Sequence, residues 1–157
     1  MIKINLVAVG KVKEKYFLGG IEEYAKRLSR FCDFKIIELP EENYNKVDDA
    51  LIESIKKKES EKILQNLKGY IFALAIEGKK YSSQSFSEEI KKLIDLGKGE
   101  ITFVIGGSYG LDDSVKAKAD KLISFSDMTF PHTLFRLMFT EQLYRAFSII
   151  NGSSYHK

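Results

Sequence analysis

Apolar residues in this chain follow two alternating rhythms. Ile2–Val9 (IKINLVAV), Phe34–Leu39 (FKIIEL), Tyr70–Ile76 (YIFALAI), Ile101–Ile105 (ITFVI) and Lys121–Phe125 (KLISF) are short, nearly continuous apolar runs bounded by Gly, Pro or polar residues. Such runs suit strands buried on both faces. Between them the spacing becomes helical. Ile21, Tyr24, Ala25, Leu28 and Phe31 keep a 3.6-residue period. Val47, Leu51, Ile55, Ile63 and Leu67 keep another, with the polar stretch Lys56–Lys62 expected to face water. Phe86, Ile90, Leu93 and Ile94 form a third amphipathic stripe, preceded by serines suited to capping. Asp112-Asp113-Ser114 opens a short fourth helix, and a long last one follows Pro131 and stops near Gly152. Strand and helix alternate about five times. That order predicts one α/β domain over residues 1–157, a mostly parallel sheet flanked by helices.

The last helix is apolar nearly all round, through Leu134, Phe135, Leu137, Met138, Phe139, Leu143, Tyr144, Ala146, Phe147, Ile149 and Ile150. A helix of that kind must be buried, and a small domain normally leaves one face of a terminal helix wet. A homodimer that covers the surplus face is the economical expectation.

Composition narrows the class. With 157 residues, 44% hydrophobic and 30% charged, the chain resembles an ordinary globular protein rather than a disordered or fibrous one. No apolar run approaches the ~20 residues of a membrane span. The start reads as a strand rather than a secretory leader, so the cytoplasm is the expected compartment. Cys32 is the one cysteine, which excludes an intramolecular disulfide and a cysteine-based zinc site. It is expected on an apolar helix face in the core. The net charge of +3 permits contact with RNA without arguing for it.

Ligands of open α/β sheets bind beyond the carboxyl ends of the strands. There the sequence places Gly10-Lys11-Val12-Lys13, Glu77-Gly78-Lys79-Lys80, Gly106-Gly107-Ser108-Tyr109-Gly110 and Ser126-Asp127-Met128-Thr129-Phe130-Pro131-His132. The loop 106–110 is the clearest feature, since glycines let the backbone approach a ligand closely. It is neither a Walker A loop nor a G-x-G-x-x-G fingerprint. Asp112 and Asp113 stand where a phosphate would otherwise sit, a setting that repels phosphate but tolerates a neutral nucleoside or a sulfonium. A tight turn with Asp caps explains the same residues equally well. Neither histidine reads as a metal ligand: His132 suits capping or packing, and His156 lies in the tail Ser154-Tyr155-His156-Lys157. No metal site is expected. Arg145 follows Glu141 by four residues, so a helical ion pair competes with an RNA contact. No nucleophile with an adjacent base stands out. Chemistry that needs little from side chains fits best.

Taken together, Leu6-Val7-Ala8-Val9-Gly10-Lys11, Ala75-Ile76-Glu77-Gly78-Lys79, Phe103 through Gly110, Ser124 through His132, Glu141-Gln142-Leu143-Tyr144-Arg145-Ala146 and Tyr155-His156-Lys157 resemble the ribosomal large subunit methyltransferase H family, in order and along the whole chain. The resemblance implies a SPOUT-type fold with a C-terminal trefoil knot. It also implies a homodimer that uses S-adenosylmethionine to methylate N3 of a pseudouridine in 23S ribosomal RNA, within the large subunit or the assembled ribosome. It implies a cofactor site made of Leu74, Gly106, Phe125, Ser126, Asp127, Met128, Thr129 and Phe130, and catalytic roles for Tyr155, His156 and Arg145. Asp127 departs from the basic residue of some relatives. Two other readings stand beside it: a flavodoxin-like nucleotide-binding enzyme, and a non-catalytic ribosome-binding dimer.

Overall fold

The computed structural model describes residues 1–42 and 44–157. Its elements alternate as the rhythms predict: β1 (Lys3–Val9), α1 (Lys15–Leu28), β2 (Asp33–Leu39), α2 (Asp49–Leu64), β3 (Tyr70–Lys80), α3 (Ser83–Asp95), β4 (Glu100–Ile105), α4 (Asp113–Lys118), β5 (Lys121–Ser124) and α5 (His132–Ile150). The expected serine cap exists. Ser82 accepts the backbone N–H of Ser85 at 3.0 Å, and Ser85 returns a bond to the backbone of Ser82. Gly152, at φ +69°, ends α5 where expected.

All strand pairs are parallel, in the order β2-β1-β4-β3-β5. Alternate residues of each strand enter different cores. Ile4, Leu6, Ala8, Phe72, Ile101 and Phe103 pack with residues of α1, α3 and α5. Val7, Val9, Ile71, Ala73 and Val104 pack instead with α2 and α4, through Ile63 and Val115. Helices therefore cover both faces, which is why the strands read as continuous apolar runs. The order also overturns one alternative. A flavodoxin-like sheet runs 2-1-3-4-5, whereas here β3 and β4 have exchanged places.

Four local expectations are corrected. β3 continues past Ile76 to Lys80, because its pairing with β5 breaks register between Leu74 and Lys79 and resumes. Gly78 sits at that irregularity, where a Cβ would lie 2.6 Å from the backbone of Ile123. β5 ends at Ser124, leaving Phe125 to the loop. Cys32 is buried, but in the turn after α1 rather than on the helix, and burial pushes its thiol up to about 12. The stretch Lys56–Lys62 is not wholly solvated either, since Glu59 and Ser60 are buried.

α5 lies against both α1 and α3, and no residue from His132 to Ile150 is fully exposed within a single chain. Phe147, one of the apolar residues of this helix, is 2% exposed and stacks on Phe31 with centroids 6.2 Å apart. Much of the apolar circumference is thus absorbed by the chain's own helices. Leu134, Leu137 and Met138 remain half-buried.

Candidate active site

At the carboxyl end of the sheet, the loop after β4 and the segment between β5 and α5 face each other across a slot of about 180 Å³. One wall is backbone, from Gly106, Gly107 and Gly110. Gly110 has φ +81° and its N–H donates to the Gly107 carbonyl at 3.1 Å, closing the turn. Gly106 is required for another reason. A Cβ there would lie 2.7 Å from the carbonyl carbon of Gly110, so the loop folds this tightly only without a side chain. The other wall is Phe125, Ser126, Met128, Thr129 and Phe130, and Leu74 also lines the slot. The Ser126 hydroxyl accepts the Met128 N–H at 3.0 Å, and its carbonyl accepts from the Ser124 hydroxyl at 3.0 Å, which braces this segment.

The slot thus gathers Leu74, Gly106, Phe125, Ser126, Met128, Thr129 and Phe130. Asp127 is placed differently: its side chain is 79% exposed and pairs with Lys80 outside the slot. His132, read from the sequence as a packing residue, does line the slot, and its Nε2 lies 4.0 Å from the Glu41 carboxylate. Glu41 also accepts the Ser108 hydroxyl at 2.8 Å. Among the described residues, His132 is the only ionisable side chain on the wall, so no Lys or Arg waits there for a phosphate. Apolar rings, backbone and a near absence of charge fit a purine nucleoside without phosphates.

A wider groove of about 580 Å³ adjoins the slot and shares Ile123, Phe125, Ser126 and Phe130 with it. Its far side carries Tyr24 and Glu141. There the tail folds back onto its own chain. The Tyr155 hydroxyl donates to Glu141 Oε1 at 2.9 Å and lies 3.2 Å from the Tyr24 hydroxyl. Arg145 pairs with the same Glu141 oxygen, holds its guanidinium 4.8 Å from the Tyr155 ring centroid, and reaches His156 Nδ1 at 3.1 Å. The helical ion pair and the tail contact thus coexist at Arg145. Burial, then the bonds to Tyr24 and Glu141, push the Tyr155 phenol well above its ordinary range. Sequence reasoning placed Tyr24 only on the apolar stripe of α1 and Glu141 only in a helical ion pair, and it did not single out Arg136. Arg136 is 2% exposed and holds the start of α5 to the sheet through Glu38 and the Gly10 carbonyl. Its signal was phase, since it shares the inward face of α5 with Phe139, Thr140 and Leu143.

Parallel strands, a glycine turn and a slot lined by rings and backbone define an α/β protein with a nucleoside-sized site at the carboxyl end of its sheet. A family model described as "Predicted SPOUT methyltransferase" matches residues 2–156. Solved structures agree at the level of fold. A probable methyltransferase from Bordetella pertussis Tohama I superposes with TM-score 0.56 at 12% identity, over 93% of this chain and 95% of that one. A tRNA (m1G37) methyltransferase from Aquifex aeolicus gives 0.51 at 14% identity, over 92% and 69%. Sequence relatives are far nearer. The proteins named ribosomal RNA large subunit methyltransferase H from Limosilactobacillus reuteri and Streptococcus uberis are 51% and 52% identical, over 99% of this chain and 100% of theirs. The chain belongs to the ribosomal RNA large subunit methyltransferase H family of SPOUT methyltransferases.

Proposed function

We propose that this protein binds S-adenosylmethionine in the slot and methylates N3 of a pseudouridine in 23S ribosomal RNA, acting as a cytoplasmic homodimer on the large subunit or the assembled ribosome. The observation that carries the reading is the slot itself, an apolar and nearly uncharged cleft closed by a side-chain-free turn at Gly106. Bound there, the cofactor supplies an electrophilic methyl group on a sulfonium whose leaving group is a neutral thioether. As the methyl group moves to N3, the N3 proton is lost to water or to a tail side chain, so the protein needs chiefly to orient the two reactants, a task that asks for no paired nucleophile and base in the slot. Leu74, Gly106 and residues 125–130 hold the cofactor in this reading. Asp127 contributes through its backbone, since its carboxylate is engaged by Lys80. Tyr155, His156 and Arg145 serve the RNA: an aromatic face for stacking, an imidazole for the base or a phosphate, and a guanidinium for a phosphate. Glu141 Oε1, already accepting from Tyr155 and Arg145, keeps those groups in place.

The C-terminal trefoil knot belongs to the same reading. Dimerisation is supported by the half-buried apolar side chains that α5 leaves at Leu134, Leu137 and Met138. The deciding experiment supplies tritium-labelled methyl donor to ribosomes, isolated subunits and naked RNA from a strain lacking the gene. Label at one 23S pseudouridine, located by nuclease digestion and mass spectrometry, is expected from ribosomes or large subunits. No incorporation into any of the three substrates overturns the proposal.

A further inference from the structure

Directly behind the glycine turn, on the side away from the slot, stands a buried carboxyl group that the proposed methyl transfer does not use. Glu59, in the middle of α2, is 3% exposed. Spacing puts it there, since Ile55, Glu59 and Ile63 are four residues apart and all three are buried. Its Oε2 accepts the Glu42 N–H at 3.5 Å, while Oε1 has no partner. Both oxygens face Gly107, where a Cβ would lie 3.3 Å from each. The turn is therefore flanked by two carboxyl groups, Glu59 behind Gly107 and Glu41 beside Ser108.

We propose that Glu59 is a positioning residue for the cofactor platform: with Glu41 it fixes the posture of Gly107–Ser108, and so sets cofactor affinity without touching the cofactor. The proposal rests on the reading of the slot as the cofactor site. A buried carboxyl oxygen without a donor is costly when ionised and becomes a donor when protonated. A backbone turn offers carbonyls to such a donor. The charged surroundings favour the proton. Glu41 and Glu42 face Glu59 from the segment after β2, and Lys62 of α2 opposes them only after pairing with Glu42 at 3.6 Å. β1 contributes the apolar Val9 beside Gly107, the loop 106–110 contributes no charge, and α5 contributes His132 beyond Glu41. Burial, reinforced by Glu41 and Glu42, raises the Glu59 carboxyl above its ordinary range.

The test uses the full chain with Glu59→Ala and Glu59→Gln. Hydrogen exchange is followed on the cofactor-free protein at the Gly110 amide, which bonds Gly107, and at Phe103 in the adjoining strand. S-adenosylmethionine affinity is measured by calorimetry from about pH 5 to about pH 8. In Glu59→Ala, exchange at Gly110 should accelerate and affinity should fall about tenfold, the size of one lost hydrogen bond. Exchange at Phe103 and kcat at saturating cofactor should not change. Glu59→Gln, a neutral isostere, should restore turn and affinity at neutral pH while abolishing the part of the affinity profile that titrates. A folded Glu59→Ala protein with unchanged Gly110 exchange and affinity overturns the proposal, and so does equal acceleration at Phe103, which marks a general packing role. Should Glu59→Ala fail to fold, a Glu59→Gln profile identical to wild type overturns it. If wild type binds no S-adenosylmethionine while Glu59→Ala still loosens Gly110, the reading of the slot fails and the link from Glu59 to the turn survives.

Discussion

Arg136 donates from Nη2 to the carbonyl oxygen of Gly10 at 2.9 Å, a bond between residues 126 positions apart. It joins the first turns of α5 to the end of β1, while Nη1 engages Glu38 of β2. Arg136→Met keeps most of the volume and strips both bonds, leaving a buried carbonyl unpaired. We expect a loss on the order of 2 kcal/mol in chemical denaturation. Because this anchor sets where His132 and Phe135 meet the slot, cofactor affinity should fall as well. Unaltered stability together with unaltered affinity would contradict this role.

Gly106→Ala tests the turn at its tightest point. A methyl group there must displace the backbone of Gly110 rather than a mobile side chain. We expect S-adenosylmethionine binding to drop below calorimetric detection while far-ultraviolet circular dichroism stays native. A variant that binds normally would show that the turn has slack the geometry denies.

Phe147→Glu and Leu134→Glu separate the core from the subunit face. Phe147 is enclosed by its own chain, so an ionised carboxylate there should cost several kcal/mol and unfold the protein. Leu134 is half-buried and lines neither cavity, and its replacement should yield a folded monomer in sedimentation. A dimer of undiminished strength in Leu134→Glu would remove that residue from the interface.

Deleting Tyr155–Lys157 should abolish methyl transfer to ribosomes while changing cofactor affinity little, because the tail contacts Tyr24, Glu141 and Arg145 rather than the slot. Tyr155→Phe keeps the ring over Arg145 and loses both hydroxyl contacts. Its activity should fall between those of wild type and the deletion. Wild-type turnover by the truncated protein would reduce the tail to a frayed end.

Glu59 also predicts a pH effect on stability. Its carboxyl titrates higher in the folded protein than in the unfolded chain. Between those two values the folded state holds a proton that the unfolded state has released. The contribution is therefore complete below the unfolded value and is lost as pH rises through the folded one. Urea titrations of wild type minus Glu59→Gln should slope downward across that interval, and a flat difference would refute the assignment.

Most of the fold was legible because strands covered on both faces have only one readable pattern, and Gly, Pro and serine caps punctuate them. Strand order was not. Nothing in local periodicity distinguishes β4 beside β1 from β3 beside β1, since both strands are apolar runs. At the site, the glycine turn and the segment 125–130 stood out through composition, whereas Arg136 and Glu59 were hidden by their charge. Each sits in phase with apolar neighbours, yet Glu59 lies in a polar run that reads as solvated, and Arg136 reads as a polar break in an apolar helix, unless phase is weighed first. Asp127 points away for a related reason, since Lys80 lies at the end of a strand whose extension through an irregularity could not be foreseen.

Because every strand runs in the same direction, the opposite rim of the sheet lies at the far ends of the strands from the slot. The Gly97-Lys98-Gly99 turn that leads into β4 lies on that rim, exposed and without side-chain crowding at either glycine. A fluorophore or affinity handle attached at Lys98 would ride on the rigid sheet while remaining remote from slot and tail. That rim is the natural place from which to tether the protein and watch an RNA substrate arrive.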